Sequence, residues 1–144
     1  MFEVGQLLWL KFRFNNSGDV SNVKHPYVIA NIDEQNKTIE IIQLDSIDFN
    51  KNAFWAFKKC SCIIDVDNPK ETVITKDSFA QLNNRFTIDL YDELNKYRRT
   101  KNKLSDDKLH HLLKKYKEYH DNNTVEDNKI VHISKEELEN LNNI

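Results

Sequence analysis

Lys24-His-Pro-Tyr-Val-Ile-Ala-Asn-Ile-Asp33, followed by Glu34-Gln-Asn-Lys37 and then Thr38-Ile-Glu-Ile-Ile-Gln-Leu-Asp-Ser46, is the stretch on which the fold turns. Two β-branched apolar runs flank a polar turn near Gln35, which predicts an antiparallel hairpin with at least one buried face. In such a hairpin the start of the first strand returns beside the end of the second. Lys24 and His25 therefore meet Leu44, Asp45 and Ser46 at one mouth, where a base or cation lies next to a carboxylate and a hydroxyl.

Upstream, Val4 to Phe14 reads as a strand, with Leu8, Leu10, Phe12 and Phe14 alternating with Trp9, Lys11 and Arg13. One face goes to the core, and the other ends in two cations. Asn15 to Val23 is polar, without helical or strand period, and is expected to overhang a site as a flap. Downstream, Ser46 to Lys59 interleaves Phe49, Phe54, Trp55 and Phe57 with Lys51, Lys58 and Lys59. Rings that stack on bases, next to cations that meet phosphate, are what single-stranded nucleic-acid binding uses, although Phe54 and Phe57 also suit a core.

Ser61 to Val66 reads as another strand and Asp67-Asn68-Pro69 as a turn. Thr72 to Asp89 reads as a short strand, a turn and a longer strand, and Leu90 to Tyr97 as a short helix. Arg98-Arg99-Thr-Lys101-Asn-Lys103 is a basic linker, either a solvated turn or a phosphate contact. After Ser105, a suitable N-cap, Leu109, Leu112, Leu113, Tyr116 and Tyr119 mark the clearest helix, with His110 and His111 toward its polar side. Lys129 to Ile133 makes a last strand in need of a sheet edge, and Ser134 to Glu137 a capping box. Five to seven short strands with late helices predict a mainly β protein: a small, strongly bent antiparallel sheet or partly open barrel with the Ser105 helix packed on it. Residues 1–120 form the domain, and 121–144 extend it with a strand and a short helix.

The 144 residues, 31% of them charged and 39% hydrophobic, suit one soluble globular domain. No apolar run is long enough to span a bilayer and no signal-peptide pattern opens the chain, so a cytoplasmic protein without a membrane partner is expected. The net charge of −2 and pI near 6.2 do not announce a nucleic-acid binder, but the cations cluster while acid gathers in Asp121 to Glu139, so one positive face is expected. Cys60 and Cys62, spaced C-x-C, suit neither a strain-free disulfide nor a zinc site and read as small buried hydrophobes. Asp65 and Asp67 lack further ligands at useful spacing, so neither metal nor other cofactor is expected.

Five segments occur in the order of the PemK/MazF-like toxin fold, which includes the ToxN and CptN toxins of RNA-antitoxin systems. They are Val4-Gly-Gln-Leu-Leu-Trp-Leu10, Lys24-His-Pro-Tyr-Val-Ile-Ala30, Ile41-Ile-Gln-Leu-Asp-Ser46, the Asp77 to Asp89 strand region, and Lys103-Leu-Ser-Asp-Asp-Lys-Leu109. The chain resembles that family over about residues 4–119, and resembles its RNA-antitoxin branch more. The resemblance implies an SH3-like or PemK-like barrel and a metal-independent endoribonuclease toxin in which a 2′-hydroxyl attacks its own phosphate to leave a 2′,3′-cyclic end. On that reading His25 is the general acid or base, Ser46 contacts phosphate or the 2′-hydroxyl, and Asp45 orients His25 or the RNA. Arg13, Lys24, Lys51, Lys58 and Lys59 neutralise phosphate, and Tyr27 and Trp55 stack on bases. The implied partners are an RNA substrate and a cognate antitoxin, either a repeat RNA or a small protein, in an assembly with the toxin. Asp45 replaces the family's threonine, Asp48 stands where ToxN-like members carry lysine, and Gln81 and Asn83 occupy the family's Arg and Asp positions. Those departures leave a second reading, a catalytically inactive RNA- or protein-binding module on the same barrel.

Overall fold

The computed structural model describes residues 1–48, 52, 56–67 and 70–142; Lys51, Trp55 and the Asn68-Pro69 turn lie outside them. The opening hairpin supplies the two longest strands, β2 (His25–Asp33) and β3 (Thr38–Ser46), paired with a register shift between Ile29 and Asn31. Lys37 turns the chain with a positive φ of 55°, and Asn36 is held by the Asp33 carboxylate. Short β1 (Leu7–Leu10) pairs with β2, while β4 (Ser61–Ile64), β5 (Ser78–Gln81), β6 (Arg85–Asp89) and β7 (Ile130–Ile133) build the other side. The outer edge of β3 takes two partners in succession: β6 along Thr38–Ile41 and β5 along Leu44–Ser46. Beyond them β4 pairs with β5, and β7 lies parallel to β6. The product is one branched, mainly antiparallel sheet of seven strands, and among the described residues no pairing closes it into a barrel.

Side chains alternate across a strand, so β3 serves both faces. Ile39 and Ile41 join Leu8, Phe12, Tyr27, Phe86 and Ile133 in one core, while Ile42 and Leu44 join Leu7, Val28, Ala80, Leu82 and Leu112 in the other. The first core is closed by the 3₁₀ turn Asp92–Tyr97 and by α2 (Lys135–Leu141), the second by α1 (Asp106–Asn122). Consecutive buried pairs such as Leu7-Leu8 and Ile41-Ile42 follow from this two-sided burial.

Several expectations need correction. Among the described residues Thr72 to Thr75 pairs with no strand, and the long strand expected to reach Asp89 is two, because Leu82–Asn84 leaves the ladder and β6 restarts with its apolar residues on the opposite face. Leu90 to Tyr97 yields only the 3₁₀ turn. Ser105 precedes α1 as expected, but its hydroxyl donates to Glu71 (2.7 Å) instead of accepting from the helix; the buried Glu71 carboxylate also accepts from the Ser105 amide (3.0 Å). Ser134 does cap α2, accepting from the Glu137 amide at 3.3 Å, whereas the Glu137 carboxylate turns to Arg13. The Asn15 to Val23 loop does lie over the surface beside His25 and Asp45, and it is anchored there: Arg13 bridges to Val20, and the Asn16 side chain donates to the carbonyls of Asp127 and Ile130. Cys62 is buried and Cys60 half-buried, both as free thiols. Among the described residues no helix is long and apolar enough to cross a membrane.

Gly5 holds the N-terminal turn against the helix. Its amide donates to Ile29, its carbonyl accepts from Leu104, its φ is +97°, and a Cβ there would lie 2.7 Å from Leu109 Cδ2. Gly5→Ala is therefore expected to cost roughly 1–3 kcal/mol, read as a lower midpoint in chemical denaturation with unchanged slope.

Candidate functional site

The hairpin register places His25 opposite Asp45, and the His25 Nδ1 lies 3.2 Å from the Asp45 Oδ1. Asp45 also accepts from Gln43 Nε2 (3.3 Å) and, across the neighbouring strand, from Gln81 Nε2. Asn84 Nδ2 in turn donates to Gln81 Oε1 at 3.2 Å. Burial raises the Asp45 carboxyl, but hydrogen bonds from His25 and Gln81, the charge of a protonated His25 and a hydrogen bond from Gln43 together outweigh it and hold the group below the ordinary carboxylate range. An ionised carboxylate only accepts, so the His25 Nδ1 donates to it, and whenever the ring is neutral the lone pair lies on Nε2.

The imidazole, 29% exposed, stands on a ridge between two depressions. One, of about 480 Å³, has an apolar floor that includes Trp9, Pro26 and Leu44 and a rim bearing Lys24, Lys76 and Arg99, with the Ser46 and Ser78 residues at its side. Arg99 lies over the Trp9 ring at 3.9 Å. Among the described residues none of these three cations has a carboxylate partner. The other depression, of about 560 Å³, is lined mainly by carboxamides together with Asp45 and a single cation, Lys129.

Of the residues expected at the site, His25, Asp45, Ser46 and Lys24 are brought together. Tyr27 is not available for stacking: it is fully buried with Phe12 and Phe86, its hydroxyl reaching Gln43 at 3.5 Å, and burial followed by the Asp45 charge raises its pKa. Arg13 is not available for phosphate, since its guanidinium bonds Glu137 twice as well as Asn15, Asn16 and the His132 carbonyl, which uses all its donors. Lys58 and Lys59 line a separate groove between β4 and α1 with Lys115 and the exposed Phe57, so the single positive face divides into patches. Lys51 and Trp55 lie outside the described residues. The sequence did not single out Lys76 for the site, nor Gln43, and assigned Gln81 only as a departure; a cation two residues before Ser78 and an amide two before Asp45 were the available signals. His120, also missed, holds the Leu82–Asn84 break: its Nε2 donates to the Leu82 carbonyl (2.8 Å) and its Nδ1 accepts from Arg85 (2.9 Å), while burial and then the Arg85 charge lower its pKa. Among the described residues no three His, Cys, Asp or Glu side chains cluster to hold a metal ion.

Comparison with protein-family models, with curated proteins and with solved structures found no match to this chain.

Because the folded-state pKa of Asp45 is depressed, the stability it contributes is complete above its unfolded value of about 4 and is lost as the pH falls through the lower folded value. Asp45→Asn should flatten the acid limb of a stability–pH profile below about pH 4 relative to the wild type, as measured by urea denaturation at a series of pH values.

Proposed function

We propose that this protein is a metal-independent endoribonuclease, the toxin of a toxin–antitoxin pair, and that its open, strongly branched sheet is a PemK/MazF-like fold. One observation carries the reading: an imidazole fixed by a carboxylate on one side adjoins, on the other, a hollow rimmed by three cations that have no carboxylate partner among the described residues. RNA supplies its own nucleophile, so the protein has only to remove a proton, hold the phosphate and stabilise the charge that develops on it.

In this mechanism His25 Nε2 takes the proton of a 2′-hydroxyl, whose oxygen forms a bond to the adjacent phosphorus. The bond from phosphorus to the 5′-oxygen breaks, and that oxygen takes a proton from a rim ammonium or water. Asp45 balances the imidazolium. Lys24, Lys76 and Arg99 neutralise the phosphorane oxygens, and Ser46 contacts the phosphate edge. The antitoxin would be a repeat RNA or a small protein that covers this mouth.

One feature favours the non-cutting alternative: Gln81 stands at the family's arginine position and is committed to Asp45. His25→Ala separates the two. Cleavage of a mixed RNA substrate should fall about 100-fold or more, with binding retained, and should persist in EDTA for the wild type. Equal cutting by His25→Ala sinks the catalytic assignment. Lys76→Ala and Arg99→Ala should each weaken RNA binding and lower the slope of log affinity against log salt by about 0.7 for a single strand; a flat salt response in the wild type would remove the phosphate-binding role.

A further inference from the structure

The groove between β4 and α1, of about 560 Å³, stands apart from the His25 site and shares no lining residue with the hollow of the three cations. β4 ends its branch of the sheet and is paired with β5 on one side. In an antiparallel ladder, hydrogen-bonded pairs alternate with pairs that are not bonded. The Leu82 amide donates to the Cys60 carbonyl at 2.7 Å, which fixes the phase: Cys62 and Ile64 bond across to Ala80 and Ser78, whereas Ile63 turns its N–H and C=O away from β5. The Ser61 amide agrees, since it donates to the Lys58 carbonyl (3.0 Å) and not across the ladder. Among the described residues the Ile63 amide has no acceptor, and its carbonyl takes only the weak Cys62 thiol contact at 3.9 Å. β7 is treated differently, because the side chains of Asn16 and Arg13 donate to its Ile130 and His132 carbonyls and blunt that edge.

The groove beside Ile63 has the dimensions and charge to hold a strand. Its wall along α1 runs from His111 to Asn122, about 17 Å at the helical rise, which is the length of about five residues of extended chain. Phe57, 68% exposed, and Ile63, 39% exposed, offer apolar surface. Lys58, Lys59 and Lys115 line it against a single acid, Glu118.

We propose that β4 and this groove take an acidic, extended polypeptide segment of a partner protein, added to the sheet as a further strand. A phosphodiester offers acceptors alone, whereas a peptide group brings both the acceptor and the donor that Ile63 lacks. The three lysines favour Asp and Glu on the incoming segment. This docking is independent of the nuclease reading, and each is measured without the other.

The probe is an octapeptide of alternating Asp and Val, which places its apolar and acidic side chains on opposite faces when extended. Its binding to the full chain is followed by fluorescence anisotropy, and the Ile63 amide by hydrogen exchange in NMR. Exchange at Ile63 is expected to slow about tenfold or more at saturation. The same peptide with every amide N-methylated should bind about tenfold more weakly or worse, with the protein itself unaltered. Replacing each Asp of the probe by Lys should abolish binding, and Lys115→Glu should weaken it about threefold or more. Proline is tolerated on an edge strand where the lost N–H faces outward, so Ile63→Pro, checked for folding by circular dichroism, should also lose the peptide. The inference is overturned by no binding of the Asp–Val peptide, by equal binding of its N-methylated or Lys–Val forms, or by unchanged Ile63 exchange in the complex. It is equally overturned if a 2′-O-methyl RNA octamer protects Ile63 at lower concentration than the peptide does, or if self-association of the free chain already protects that amide.

Discussion

The structure depends on one constraint in the ladder of β3. A nine-residue strand whose successive partners are four or five residues long must find two of them to satisfy its outer edge, and it does so with β6 and then β5. An unpaired buried amide or carbonyl costs as much as a lost hydrogen bond, so the junction cannot simply be left open. The chain crosses it at Leu82–Asn84, where the Leu82 amide instead bonds the Cys60 carbonyl and its carbonyl accepts from His120. Both cores follow, because β6 and β5 present their apolar residues to opposite sides of the same strand.

The site is a by-product of the same arrangement. Where β3 passes from Ile41 to Gln43 and Asp45, one face leaves the first core, and the two polar side chains there bond one another, with His25 and Gln81 on Asp45 and the Tyr27 hydroxyl on Gln43. Gln81, at the end of β5, reaches Asp45 because the break in the chain delivers it there. The opposite face carries Leu44 and Ser46 toward a hollow closed by the Val73 to Ser78 segment and by Arg99. One strand end thus separates a cationic surface from an amide surface, with His25 on the boundary.

The hairpin and the Ser105 helix were legible in the sequence because β-branched runs around a polar turn and an i, i+3, i+4 pattern each have a single local solution. The division of the later strand was not. Leu82, Phe86 and Ile88 keep an even spacing that reads as one strand, and no glycine or proline punctuates it; only the Asn83-Asn84 pair marks the break. Arg13 and Tyr27 show the same limit at the site. Their residue types suit phosphate and base, yet Glu137 and Phe86, which occupy them, come from distant segments. Lys76 and Arg99 join the rim for the same reason, through packing that pattern alone does not encode.

The β2–β3 hairpin is also a matter of folding order. His25 and Asp45 sit twenty positions apart on one hairpin, whereas Arg85 must find Ile130 and Gln6 must find Lys103 across far longer loops. Closing a short loop loses less chain entropy than closing a long one, and local pairings form first. The imidazole and its carboxylate accordingly belong to the earliest unit that can assemble, while the strand that brings Gln81 and the segments that bring Lys76 and Arg99 arrive later. A newly made chain would hold the His25–Asp45 pair, with Lys24 next to it, before Lys76 and Arg99 arrive to complete the cationic rim.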